Sequence, residues 1–142
     1  MPLVELMRAS PGYLPNLALV ADDDGDVIGH IMFTESTVEG SDATILILSP
    51  LAVRPDRQRR GIGSALVREG LRRAEEHGAP LVIVEGDPRY YSRFGFRRAL
   101  ELGLERPHEQ IPEVAFQALP LAAYDPSLRG KVVYPPPFDS VA

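Results

Sequence analysis

The 142-residue sequence predicts one α/β (α+β) domain, built on a mixed central sheet with a parallel strand pair and one long crossover helix. Three observations carry that prediction. Ala43 to Val53 and Leu81 to Glu85 are short, nearly continuous apolar runs, as suits strands buried on both faces. Between them, Gly61 to His77 changes to helical spacing. Leu66, Val67, Gly70, Leu71 and Ala74 form one stripe, with Arg68, Glu69, Arg72, Arg73, Glu75 and Glu76 on the other face. Strand, loop, helix and strand from Ala43 to Glu85 then fit a right-handed crossover between parallel strands.

The other elements follow in chain order. Leu3 to Arg8 reads as a short helix that stops at the breaker cluster Ser10-Pro11-Gly12. Leu17 to Ala21 and Val27 to Glu35 read as two strands of a hairpin, joined by the acidic turn Asp22 to Asp26 with its Asp24-Gly25 signal. Gly40 and Ser41 mark the next turn. Pro50 has no N–H for a ladder bond and predicts a bulge or break in the strand that holds it. Gly78 stops the long helix. Arg89 to Phe94 reads as a short helical segment, the chain near Phe96 as a short strand, and Glu113 to Leu121 as a further strand. Residues 122–142, with Pro126, Pro135, Pro136 and Pro137, predict an extended tail over the surface.

Composition narrows the function classes. The chain is 44% hydrophobic and 25% charged, as ordinary globular proteins are. A net charge of −5 argues against coating nucleic acid. The absence of cysteine excludes disulfides, cysteine–zinc sites and a thiolate nucleophile. No metal site is predicted. Met1 to Ser10 lacks the pattern of a secretory signal, and no run approaches the roughly 18 apolar residues of a membrane span. These features predict a soluble, cytoplasmic protein without a membrane partner.

The segment richest in chemistry is Leu51 to Leu66. Here Arg54, Arg57, Arg59 and Arg60 crowd a loop between a buried strand and a helix, and Gly61 and Gly63 open that helix. Unpaired first-turn N–H groups and the positive end of the helix dipole favour an anion there, and glycine lets a phosphate come close to the backbone. A P-loop is excluded, because Ser64 rather than lysine follows Gly63. A dinucleotide fingerprint fits poorly: Leu66 replaces its third glycine, and Gly61 lies eight positions after Val53, too far for the tight turn.

Gln58-Arg59-Arg60-Gly61-Ile62-Gly63 resembles the Q/R-x-x-G-x-G/A motif of the GCN5-related N-acetyltransferase (GNAT) superfamily. Leu51-Ala52-Val53 resembles the strand end before that motif, and Tyr91-Ser92-Arg93-Phe94-Gly95-Phe96 resembles the family's Y-x-x-x-G-F segment. Gly86 to Tyr91, together with Val133-Tyr134-Pro135-Pro136-Pro137-Phe138, is similar to acetyltransferases of the YhbS type. The resemblance covers most of the chain from about Leu17 onward.

The resemblance implies a GNAT fold with residues 1–142 as a single acetyltransferase domain. The parallel pair would splay around acetyl-CoA. Backbone near Leu51, Ala52 and Val53 would pair with the pantetheine amides, and N–H groups from Arg59, Arg60, Gly61, Ile62, Gly63 and Ser64 would hold the pyrophosphate. A small-molecule or protein amine would attack the thioester directly. Tyr91, selected over Tyr90 by its spacing to Gly95, would protonate the departing thiolate. A general base is not singled out among Glu35, Glu85 and His30. Family members carry a first strand and helices before the strand at Leu17, where this chain has only Met1 to Asn16. That shortened N-terminal region predicts either a start site further upstream or a homodimer partner that completes the wall. The competing class is a non-catalytic acyl-CoA-binding or regulatory module.

Overall fold

The computed structural model describes residues 7–9, 18–23, 25–58 and 61–133. They fall into two compact units. One comprises residues up to Thr34 together with Leu48–His77, and the other comprises Glu35–Ile47 with the chain from Gly78 onward.

In the first unit, β1 (Met7–Ala9) pairs antiparallel with β2 (Ala18–Asp23), and β2 pairs antiparallel with β3 (Asp26–Val38). The sequence predicts a helix over Leu3 to Arg8. Its described part, Met7 and Arg8, belongs instead to a strand held by Ala21 and Val20, because a three-residue edge takes its conformation from its partner. Register between β2 and β3 shifts between Ala21, opposite Gly29, and Asp22, opposite Val27. Ile28 is the extra residue, a β-bulge in the hairpin. Ala18 to Ala21 are all buried, as are Ile28, Ile31 and Phe33 of β3. The helix α1 (Ile62–His77) lays Ile62, Leu66, Val67, Gly70 and Ala74 onto this unit's core. Gly70 is a contact point: a Cβ there would lie 2.5 Å from Cε1 of Phe33.

In the second unit, β4 (Ile45–Val53) begins its course, and Leu46 and Ile47 pair in parallel with Val82 and Ile83 of β5 (Leu81–Glu85). This confirms the parallel pair and its crossover helix. β4 runs without interruption through Pro50, and the parallel register lies wholly before that residue, so the ladder spares its missing donor. β8 (Phe116–Pro120) pairs antiparallel with all five residues of β5, from Leu81 opposite Pro120 to Glu85 opposite Phe116. The short β6 (Arg97–Arg98) pairs antiparallel with β8. Parallel and antiparallel strands in one sheet make the mixed α/β architecture that the sequence predicts.

The chain after Leu121 departs from an extended tail. It turns at Asp125, where Leu128 N donates to Asp125 O at 2.9 Å, and enters β9 (Gly130–Val133). β9 pairs antiparallel with the end of β3 and parallel with β7 (Leu104–Glu105). Leu128 and Val132 are buried there, joining Val38, Ile45, Ile47, Leu81, Ile83, Leu104, Phe116 and Ala118 in one core. Burial of two apolar side chains, at about 1.5–3 kcal/mol each, draws this segment back onto the unit despite its prolines. The prolines at 135–137 lie outside the described residues.

Candidate active site

The sequence-predicted site residues fall into two constellations, one in each unit. The first is the turn from β4 into α1. Arg54 N donates to Ile28 O at 2.8 Å, so the bulge residue of β3 fixes the end of β4. Pro55–Arg57 then makes one turn of 3-10 helix. Across it, the Arg54 guanidinium bonds both carboxylate oxygens of Asp56, at 3.1 and 2.8 Å, and holds that carboxyl below the usual carboxylate range. Gln58 Nε2 donates to Val53 O at 3.1 Å, closing the loop back on the strand. Thus Gln58, the first residue of the sequence motif, buttresses the loop.

Gly61 has φ of +79°, in the left-handed region that a side chain disfavours, and nothing else crowds it. The first intrahelical bond runs from Ala65 N to Gly61 O, at 3.0 Å. That leaves the N–H groups of Ile62, Gly63 and Ser64 as first-turn donors without an intrahelical partner. The first turn holds no acidic residue to compete for them. Ile62 is buried and anchors the helix start, while Gly63 and Ser64 stay partly accessible. Such a turn is suited to an anion. Ala52 and Val53 stand at the end of β4, with Leu51 before them. Of Leu51 only the backbone is described, and Arg59 and Arg60 lie outside the described residues.

The second constellation surrounds Tyr91. Pro88–Tyr91 forms one turn, α2, capped by Asp87, whose carboxylate accepts from Arg89 N at 2.9 Å. Proline at the first helical position suits that start. Tyr91 N donates to Asp87 O at 3.1 Å. The Tyr91 side chain is buried among rings: edge-on to Tyr90 at 5.0 Å and to Phe96 at 5.6 Å, and tilted against Phe94 at 6.5 Å. Tyr90 is only half-buried, with the Arg93 guanidinium 5.1 Å above its ring. Burial raises the Tyr91 phenol above its ordinary pKa, and the neighbouring Tyr90 adds to that. At neutral pH Tyr91 therefore keeps its proton.

Gly86 makes this packing feasible. A Cβ on it would stand 2.5 Å from Tyr91 Cε2. Its backbone is held on both sides, since Gly86 N donates to Ala115 O at 3.0 Å and Gly86 O accepts from Gln117 Nε2 at 3.2 Å. Gln117 is 2% exposed, one of two buried polar side chains among the described residues. Sequence reasoning passed over it. The only signal was a lone amide inside the apolar run Phe116 to Leu119. Of the base candidates, Glu35 and His30 lie on β3 and Glu85 closes β5.

Residues 15–98 match the acetyltransferase (GNAT) domain family. The chain belongs to the GNAT acetyltransferases. It is 42% identical over 120 residues to the uncharacterised N-acetyltransferase YhbS of Escherichia coli K12, spanning 84% of this chain and 70% of that relative. The crystal structure of E. coli YhbS in complex with CoA superposes with a TM-score of 0.80 at 38% identity, over 86% of this chain and 68% of that one. A GNAT acetyltransferase from Brucella melitensis in complex with acetyl-CoA gives 0.69 at 36% identity, with the same coverage. The chain is thus an acyltransferase of the YhbS kind.

Proposed function

We propose that this chain, with residues 1–142 as a single catalytic domain, transfers the acetyl group of acetyl-CoA to a primary amine by direct attack in a ternary complex. The observation that carries the reading is the first turn of α1, which offers three N–H groups and no acid after a left-handed Gly61. Those amides, with Arg59 and Arg60, would take the pyrophosphate. Backbone at Leu51, Ala52 and Val53 would take the pantetheine arm. Relatives solved with CoA and acetyl-CoA support that choice of cosubstrate.

Acetyl-CoA, when bound, supplies a thioester whose C–S bond breaks as the amine nitrogen bonds the acetyl carbon, leaving CoA as a thiolate. Tyr91 Oη is the acid that gives its proton to that sulfur. Its raised pKa keeps the proton in place at working pH. The transfer is uphill by at least about 2 kcal/mol, since a phenol near 10 donates to a thiol near 8.5. That is small against the whole barrier of an acyl transfer. The amine's own proton leaves through a base not assigned to a residue.

The test measures CoA binding by titration calorimetry and acetyl transfer by thiol release, over a panel of small amines and peptide amines. Tyr91→Phe is expected to lower kcat by about 10²- to 10⁴-fold while the CoA Kd holds. Wild-type kcat in that variant would remove Tyr91 from the acid role. Tight CoA binding without turnover on any amine would favour a non-catalytic acyl-CoA module instead.

A further inference from the structure

A separate opening lies within the second unit, and it belongs to neither constellation above. It is a cavity of about 330 Å³ beside β7, β9 and the start of β8. That volume is at the small end for ligand pockets, which run from about 300 to 1,000 Å³. Leu104 and Phe116, both 1% exposed, supply its apolar floor, and the exposed Leu100 extends it. Its charges divide into two sets. Arg106 is occupied: its guanidinium donates to Ile111 O at 2.7 Å and meets Glu113 at 3.5 Å. Glu105 and Lys131 are not. Among the described residues neither side chain has an ion pair or hydrogen bond, although they are direct register partners on the parallel strands β7 and β9.

Register partners on neighbouring strands stand about 4.8 Å apart. One carboxylate and one ammonium are therefore carried on neighbouring positions in the lining of a cavity that also has an apolar part. Exposed to water, the two gain only about 0–1 kcal/mol from pairing with each other, so both remain available to a ligand. A molecule that carries an ammonium and a carboxylate on the same carbon can satisfy both at once, through charge-assisted hydrogen bonds. Glu109, also lining the cavity, adds a second acceptor for the ammonium.

We propose that this cavity binds a small zwitterion of the α-amino-acid type, with its ammonium on Glu105, its carboxylate on Lys131 and an apolar side chain against Leu100, Leu104 and Phe116. The site does not depend on acetyl transfer, and its test separates the two. The full chain is titrated calorimetrically with L-leucine, with L-leucinol, which keeps only the ammonium, and with N-acetyl-L-leucine, which keeps only the carboxylate. A parallel titration uses CoA. Leucine is expected to bind at least about tenfold more tightly than either analogue, which corresponds to ~1.4 kcal/mol. Glu105→Gln and Lys131→Met should each remove that advantage while thermal stability and the CoA Kd hold, since both side chains are exposed. No binding of leucine up to about 10 mM in a sample that binds CoA would overturn the site and leave the cofactor reading standing. Leucinol equal to leucine, or leucine affinity unchanged in both variants, would also overturn it. Leucine binding without CoA binding would support the site and count against the cofactor reading alone.

Discussion

Gly86→Ala tests whether Tyr91 acts through its position. The new Cβ would stand 2.5 Å from Tyr91 Cε2 and 3.0 Å from Cδ2. Ordinary contact begins near 3.4 Å, so one side must give by about 0.9 Å. Gly86 is the side less able to move, being bonded to Ala115 O through its N–H and to Gln117 Nε2 through its carbonyl. The Tyr91 ring, which packs with Phe94 and Phe96, must therefore shift. Overpacking of this kind costs about 1–3 kcal/mol of stability. A reacting group displaced by about 1 Å loses roughly 10²-fold in rate.

A matched control comes from Gly70, whose Cβ would meet Phe33 Cε1 at the same 2.5 Å and Cζ at 2.8 Å. Gly70→Ala is expected to lose similar stability, a fall in Tm of roughly 3–10 °C, while keeping kcat within a small factor. The assay is thiol release under saturating acetyl-CoA and amine, with thermal melts alongside. Wild-type kcat in Gly86→Ala would refute the positional role of Tyr91. An equal loss of kcat in Gly70→Ala would show that any clash of this size disables the protein, and the inference from Gly86 would fall with it.

Two further outcomes follow from the ionisable groups. Hydrogen bonds from Arg72 and then Arg73 hold the Glu69 carboxyl down at about 2, from an ordinary value of 4.5. A carboxyl lowered by folding adds stability above its ordinary pKa and loses it as pH falls. Wild type should therefore exceed Glu69→Gln by about 0.5–1 kcal/mol at pH 7, with the gap closing between pH 4.5 and about 2 in urea melts. A gap that persists at pH 2 would show that packing, not charge, is its source. For catalysis, the acid must be protonated, so kcat should fall as pH rises through the Tyr91 pKa. Because burial raises that pKa, the decline should be centred above the ordinary tyrosine value of about 10, measured on a substrate amine already neutral there. A decline centred well below it would assign the acid to another group.

Much of the molecule is legible from local pattern. The alternation and length of the apolar runs predict β2, β3, β4 and β5, and helical spacing predicts α1 to within a residue. The segment Gln58 to Gly63 is recognisable because its arginines and glycines are consecutive in the chain, which a linear motif records directly. The choice of Tyr91 over Tyr90 is likewise one of spacing, and the structure buries Tyr91 while leaving Tyr90 half-open. Tertiary structure alone decided the rest. The bulge at Ile28 exists because β2 and β3 must match registers, and its carbonyl then fixes Arg54. Gln117 reads as a misplaced polar residue until the chain brings Gly86 beside it, thirty-one positions away. The strands β7 and β9 are too short to carry a period, and they form only where partners complete their hydrogen bonds, β9 for β7 and both β7 and the end of β3 for β9. Periodicity reports which face of an element meets a core, whereas partnership between distant segments depends on the whole packed chain.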